Sequence, residues 1–319
     1  MRIQCFILLF LFCQTLLAQL HYDSHKDKWF TNLSDALKTP YRVYQLDLSN
    51  QSLKEIPEEI KDFQNLTDLN LSDNQLSDLD FPFKKLRKLE YLDLTGNQIT
   101  QIDFKVFSSN PELKILKVRK NGLENLGPTI CHLTYIGLLD LGENKIKDLD
   151  DISCLTHLKK LWLDNNELNK LLAIPKSLQH LNLNANQIEE FTLKDTYNNL
   201  ISLDLSDNPS QSLKLLMSGS KLKKLILDWL PLNQFTILEP MEELKILSLE
   251  HCQISESFNV FSAFPNLEEL SLMNNNFSEL PEHLRNHKKL KKLWSSENPD
   301  LSMSDFDSSN SKFEILMGK

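Results

Sequence analysis

LKKLWLDNNELNKLLAIPKSLQHLNLNANQIEEF, residues 158–191, states one pattern twice. Leucine or isoleucine fills the first, fourth, sixth and eleventh positions, and asparagine fills the ninth. The first copy uses Leu158, Leu161, Leu163, Asn166 and Leu168; the second uses Leu178, Leu181, Leu183, Asn186 and Ile188. Working outward, first positions recur at Val43, Leu66, Leu89, Leu113, Ile136, Leu158, Leu178, Leu200, Leu222, Leu244, Leu267 and Leu290. The spacing stays between 20 and 24 residues, and a thirteenth copy is expected to begin at Phe313. Leucine-rich helices do not hold such a period together with an asparagine, so the chain reads as a repeat array.

The fourth and sixth positions alternate with polar neighbours at a period of two, which predicts a short strand with its leucines inward. One such unit cannot bury its leucines alone, and stacking supplies the missing wall. The asparagine amide has two donors and an acceptor, enough to satisfy backbone groups left unpaired where the chain leaves the strand. Nine of the twelve copies keep it: Asn74, Asn97, Asn121, Asn144, Asn166, Asn186, Asn208, Asn275 and Asn298. Gln51 replaces it at the opening of the array, Cys252 is a small buried substitute, and Leu230 offers no hydrogen bond. The copy from Leu222 is therefore expected to be locally irregular.

The pattern LxxLxLxxNxL resembles the leucine-rich repeat family over nearly the whole chain. That resemblance implies an α/β solenoid: an arc with a concave parallel β-sheet, a short N-terminal helical cap and a mostly irregular or short-helical convex side. Repeats this short leave no room for full convex helices. SLKEIPEEIKDFQNL, FSELPEHLRNHKKL and IPKSLQHLNLNANQI resemble bacterial members of the family. The lack of cysteine-rich caps points the same way, to a bacterial origin.

The first eighteen residues, MRIQCFILLFLFCQTLLA, have one basic residue, an apolar run from Cys5 to Cys13 and a small residue at Ala18. This is the layout of a secretory signal peptide, with cleavage expected after Ala18. Nine apolar residues are too few to span a bilayer, which takes about twenty, so no transmembrane segment is expected in the mature chain. A polar leader and a helical cap are expected over residues 19–42. Thr31 is the expected N-cap, Leu33, Ala36 and Leu37 share one face, Pro40 ends the helix, and Trp29 and Phe30 add buried area. The array then fills 43–319.

The net charge of −9 disfavours phosphate backbones, so nucleic acid is not an expected partner. Seven glycines among 319 residues leave no phosphate-cradling loop. No nucleophile elbow or zinc-protease motif is present, and neither an enzyme nor a cofactor is expected. His283 and His287 stand four apart without a third ligand, which favours two solvated side chains over a metal pair. Cys131 and Cys154 fall near equivalent positions of adjacent repeats; two buried thiols are the favoured reading, with a disulfide left open.

What remains is a secreted, periplasmic or cell-surface binding module, expected as a monomer, whose concave face meets a protein, peptide or glycan. The rival is a structural or adhesive surface component that self-assembles. Outward concave positions are the third, fifth, seventh and eighth of each repeat. The candidate ligand-binding residues are Trp162, Asp164, Asn182, Asn184, Asp204, Ile226, Asp228 and Trp229. Trp294 shares the face. Aromatics among carboxylates and amides are what recognition of a peptide or sugar uses.

Overall fold

A computed structural model describes residues 29–149, 151–170, 174–194, 197–216, 219–258, 260–298, 301 and 314–316. The signal-peptide segment, His21–Lys28 and Asp300 lie outside these residues.

The α/β solenoid is the fold observed. Each of the twelve repeats contributes one three-residue strand, centred on its fourth-position leucine, to a single parallel sheet. Leu161 pairs with Leu139 on one side and Leu181 on the other, and the same register runs through the array. Fourth- and sixth-position side chains such as Leu161, Leu163, Leu181 and Leu183 are buried, while Asn182 and Asn184 between them stay half-exposed. The register read from residues 158–191 is therefore the register of the fold.

The asparagine ladder performs the expected work. Asn186 donates its amide hydrogens to the carbonyls of Leu163 (2.9 Å) and Leu183 (3.0 Å), and its oxygen accepts from the Leu168 N–H (3.0 Å). Each asparagine thus ties its own strand exit to the repeat before it. Where Gln51 opens the array, its side-chain amide reaches the Thr31 carbonyl in the cap. Cys252 keeps half of the ladder by donating its thiol to the Leu227 carbonyl at 3.0 Å. Burial pushes that thiol up to about 12, so it remains a protonated donor.

The irregularity expected at Leu230 is confined to the turn. The strand Lys224–Ile226 pairs normally on both sides, and Leu230 is fully buried. The Leu232 N–H, which in an intact ladder would meet an amide oxygen at position 252, finds Cys252 there and turns back onto the Leu230 carbonyl. A feature absent from the sequence reading lies on the convex side of this region. Glu190–Lys194, Ser212–Leu216 and Gln234–Ile237 form a second, three-stranded parallel sheet. Phe191, Leu193, Leu213 and Leu215 alternate inward along it. Several other repeats carry a single helical turn on the convex side, as at Glu58–Asp62, Phe104–Phe107 and Glu282–Arg285.

Several expectations need correction. The cap helix spans only Leu33–Ala36, and its N-cap is Asn32, whose side-chain oxygen accepts from the Ser34 and Asp35 N–H groups. Asn32 can reach those donors because it is the extended residue one before the first helical turn; Thr31 sits one residue too early. Ala36 is buried and Leu33 packs on the core, but Leu37 is exposed. Trp29 and Phe30 form a strand on Gln45–Leu46; Phe30 packs against the core, whereas Trp29 stays exposed. At the other end, Glu314–Leu316 pairs with Lys292–Trp294 so that Ile315 faces Leu293. A copy starting at Phe313 would have placed Leu316 there, so the register lies one residue earlier.

The cysteine expectation is overturned. Cys131 and Cys154 form a disulfide, with Cα atoms 5.7 Å apart. Both sit on exposed convex turns rather than in the core, where stacking of equivalent positions brings the sulfurs together. His287 is not a solvated histidine either. Its Nε2 donates to the Phe264 carbonyl, and its Nδ1 accepts the Lys289 and Leu290 N–H groups. Both ring nitrogens are committed to the backbone, which leaves no lone pair for a metal.

Candidate functional site: the concave sheet face

Outward residues of the sheet form parallel rows across the repeats, because every strand is in register. The eighth-position row has its own backbone rule. In all twelve repeats this residue is left-handed: Asn50, Asp73, Gly96, Lys120, Glu143, Asn165, Ala185, Asp207, Trp229, His251, Asn274 and Glu297 have φ between 51° and 68°. The reversed twist aims the ninth-position asparagine inward at the ladder. Asn, Asp and Gly tolerate it well, but a bulky tryptophan does not.

Two charged groups occupy the face, and they are built differently. The first is centred on Arg119, at the seventh position of its repeat. Its guanidinium crosses the intervening repeat to form a forked pair with Asp164, Nη1–Oδ1 3.1 Å and Nη2–Oδ2 2.5 Å. It also reaches Glu143 at 3.0 Å and Asp140 at 3.5 Å. Gly142 makes the crossing possible, since a Cβ there would collide with both the guanidinium and the Asp164 carboxylate. Burial works against the Arg119 charge, but Asp164, Asp140 and Glu143 outweigh it and raise its pKa. Burial raises Asp140 to about 6 despite the opposing Arg119 charge. Asp164 is thus a candidate ligand-binding residue already held by an internal partner and only 6% exposed.

The second group lies at Asp204, Asp228 and Glu250. Burial, with the neighbouring Glu250 charge second, raises Asp228 to about 7. Burial also raises Asp204, with hydrogen bonds from Ser206 and then the Lys224 charge offsetting part of the effect. Asp228 Oδ1 accepts the Glu250 N–H at 2.9 Å, and Ser271 Oγ donates to Glu250 Oε1 at 2.6 Å. Among the described residues no lysine or arginine forms a salt bridge with Asp228 or Glu250; the ion pairs of this face lie elsewhere, as at Lys117–Asp93 and around Arg119.

Next to these carboxylates, Trp229 and His251 stack, ring centroids 3.7 Å apart and 9° from parallel. Trp229 remains 56% exposed. The structure therefore brings Asp204, Asp228 and Trp229 into one neighbourhood. Ile226 is outward but 9% exposed, a floor rather than a contact. Trp162 is half-buried between Asp140 and Asn182 on the adjoining strands, and Asn184 donates to the Ser206 carbonyl. Trp294 carries the Lys292 ammonium over its ring at 5.8 Å. Glu250 and His251 were missed by the sequence reading, although both were legible as the seventh and eighth positions of the repeat from Leu244.

The repeat pattern also matches leucine-rich repeat profiles described as Leucine Rich repeats (2 copies) at residues 64–106, Leucine rich repeat at 111–168 and Leucine Rich Repeat at 266–287. The chain is a leucine-rich repeat protein. Rat (Rattus norvegicus) osteomodulin is 30% identical over 178 residues, 52% of this chain and 42% of that protein. The chain spans less than half the length of the curated relatives it matches. Among solved leucine-rich repeat structures, an internalin (inlF) from Listeria monocytogenes aligns with a TM-score of 0.61 at 22% identity, covering 88% of each chain. YopM, a leucine-rich effector protein from Yersinia pestis, aligns at 0.62 and 24%, covering 80% of this chain and 66% of that one. These likenesses speak to the fold. The leucine-rich repeat fold suggests a protein-interaction module, and among the described residues no helix is long and apolar enough to cross a membrane.

Proposed function

We propose that this leucine-rich repeat protein is an exported, non-enzymatic binding module that engages a protein partner through the concave face between Trp162 and His251. The observation that carries the reading is the exposed Trp229 ring, stacked on half-buried His251 beside two carboxylates with which no lysine or arginine among the described residues forms a salt bridge. Burying an unpaired charge or leaving a large aromatic in water is costly, and both costs fall when a complementary partner docks.

Export is supported by the disulfide, since such bonds persist in oxidising compartments, together with the signal-like opening. The test is comparative. Partner captured on the immobilised chain is rebound to a sheet-face variant, Asn182→Arg with Asp204→Arg, and to a convex variant, Glu242→Arg with Lys194→Glu. Loss of binding only in the first is expected. Equal binding to both variants would place the interface elsewhere.

A further inference from the structure

The sheet holds one acidic group in a forked ion pair, whereas among the described residues no lysine or arginine forms a salt bridge with Asp228 or Glu250. Arg119 pairs with Asp140, Glu143 and Asp164 from within, while Asp228 and Glu250 stand side by side at equivalent positions of neighbouring repeats. We propose that the Asp228–Trp229–Glu250–His251 patch receives an arginine side chain presented by a protein partner. This rests on the concave-face reading above and names the chemistry of its ligand.

Four observations converge on arginine. His251 covers one face of the Trp229 indole and leaves the rest of the ring open, which is why Trp229 stays 56% exposed. The in-register row places exposed Asp207 one repeat before Trp229, so the open side of the ring is bordered by acid. The Glu250 carboxylate is oriented by Ser271 through one oxygen, which leaves the other to accept an incoming donor. Asp228, beside it, is held by the Glu250 N–H on Oδ1 and by the Ser248 side chain, with no cation bridged to it among the described residues. A guanidinium is planar, stacks on indole and donates in a fork to carboxylates, whereas an ammonium is a compact, strongly hydrated charge. Arg119 on Asp164 shows the same fork on the same sheet face. Neutral His251 adds no opposing charge, because burial lowers its pKa.

A sugar is the competing occupant for an aromatic beside carboxylates, and it needs no positive charge. The test uses the full chain titrated calorimetrically with a short peptide carrying two arginines separated by one glycine. Its citrulline counterpart keeps shape and loses charge, and N-acetylglucosamine tetrasaccharide serves as the glycan probe. The arginine peptide should bind at least tenfold more tightly than the citrulline peptide. Trp229→Gly, and separately Asp228→Asn with Glu250→Gln, should each weaken it at least tenfold while the chain stays folded by circular dichroism. Equal affinity for the citrulline peptide, binding of the glycan alone, indifference to both variants, or no arginine-peptide binding at millimolar concentration would each overturn the assignment. If the captured partner is lost by Asn182→Arg/Asp204→Arg but kept by Trp229→Gly, the concave reading stands and this one falls.

Discussion

At the residue scale, neighbouring asparagines of one repeat have opposite roles. Asn186 holds two backbone carbonyls and one N–H that water cannot reach, whereas Asn182 faces outward from the strand. Asn186→Ala should cost at least about 2 kcal/mol in denaturant unfolding, because it strands buried groups, while Asn182→Ala should stay within about 0.5 kcal/mol. Comparable losses at both would contradict the ladder. Asp228 makes a pH prediction with a definite sign. Its folded pKa of about 7 lies above the ordinary 3.8. Between those values the folded chain binds more protons than the unfolded one, so stability falls as pH rises through that window and is level above it. Asp228→Asn should therefore be more stable than the parent at pH 8, by roughly 1–3 kcal/mol, and equal to it near pH 4. A variant that is no more stable at pH 8 would refute the raised pKa.

At the scale of the element, the strands were legible and the turns were not. Leu181 and Leu183 announce their strand through alternation, a signal carried by single positions. The Cys131–Cys154 bond depends instead on whether two convex turns present their sulfurs toward each other, and spacing alone leaves that open. The Glu190–Lys194 sheet was hidden for another reason: Phe191 and Leu193 alternate, but they lie beyond the consensus positions, which end at Ile188, and the sheet needs strands from two later repeats. Arg119 was invisible because its partner lies 45 residues away and the contact needs a missing side chain at Gly142 between them. Gly142→Ala should displace the guanidinium and destabilise by about 1–3 kcal/mol, chiefly by leaving Asp164 unpaired. In an Arg119→Ala background the same change should be nearly silent, and an additive double-mutant cycle would show that Arg119 does not span the gap. Reduction of the disulfide, or Cys131→Ser with Cys154→Ser, should cost about 2–4 kcal/mol. An unchanged denaturation midpoint with and without reductant would mean that the bond is absent in solution.

At the scale of the molecule, stability runs along one axis, since each repeat packs on its neighbours and a contact such as Arg119–Asp164 reaches only one repeat further. The site was only half legible at this scale: the row of outward positions could be read, but not which acids the sheet neutralises itself. The disulfide between adjacent turns has a mechanical consequence. A chain pulled from its two ends should peel repeat by repeat, each lengthening the tether by the extended span of its residues. The segment from Cys131 to Cys154, a sequence separation of 23, is shut out of that extension by a covalent bond. In single-molecule stretching the fully extended length should fall short by roughly 80 Å, and adding reductant should restore it. The staple thus makes the middle of the array a segment that tension alone cannot draw out, set between two runs that it can.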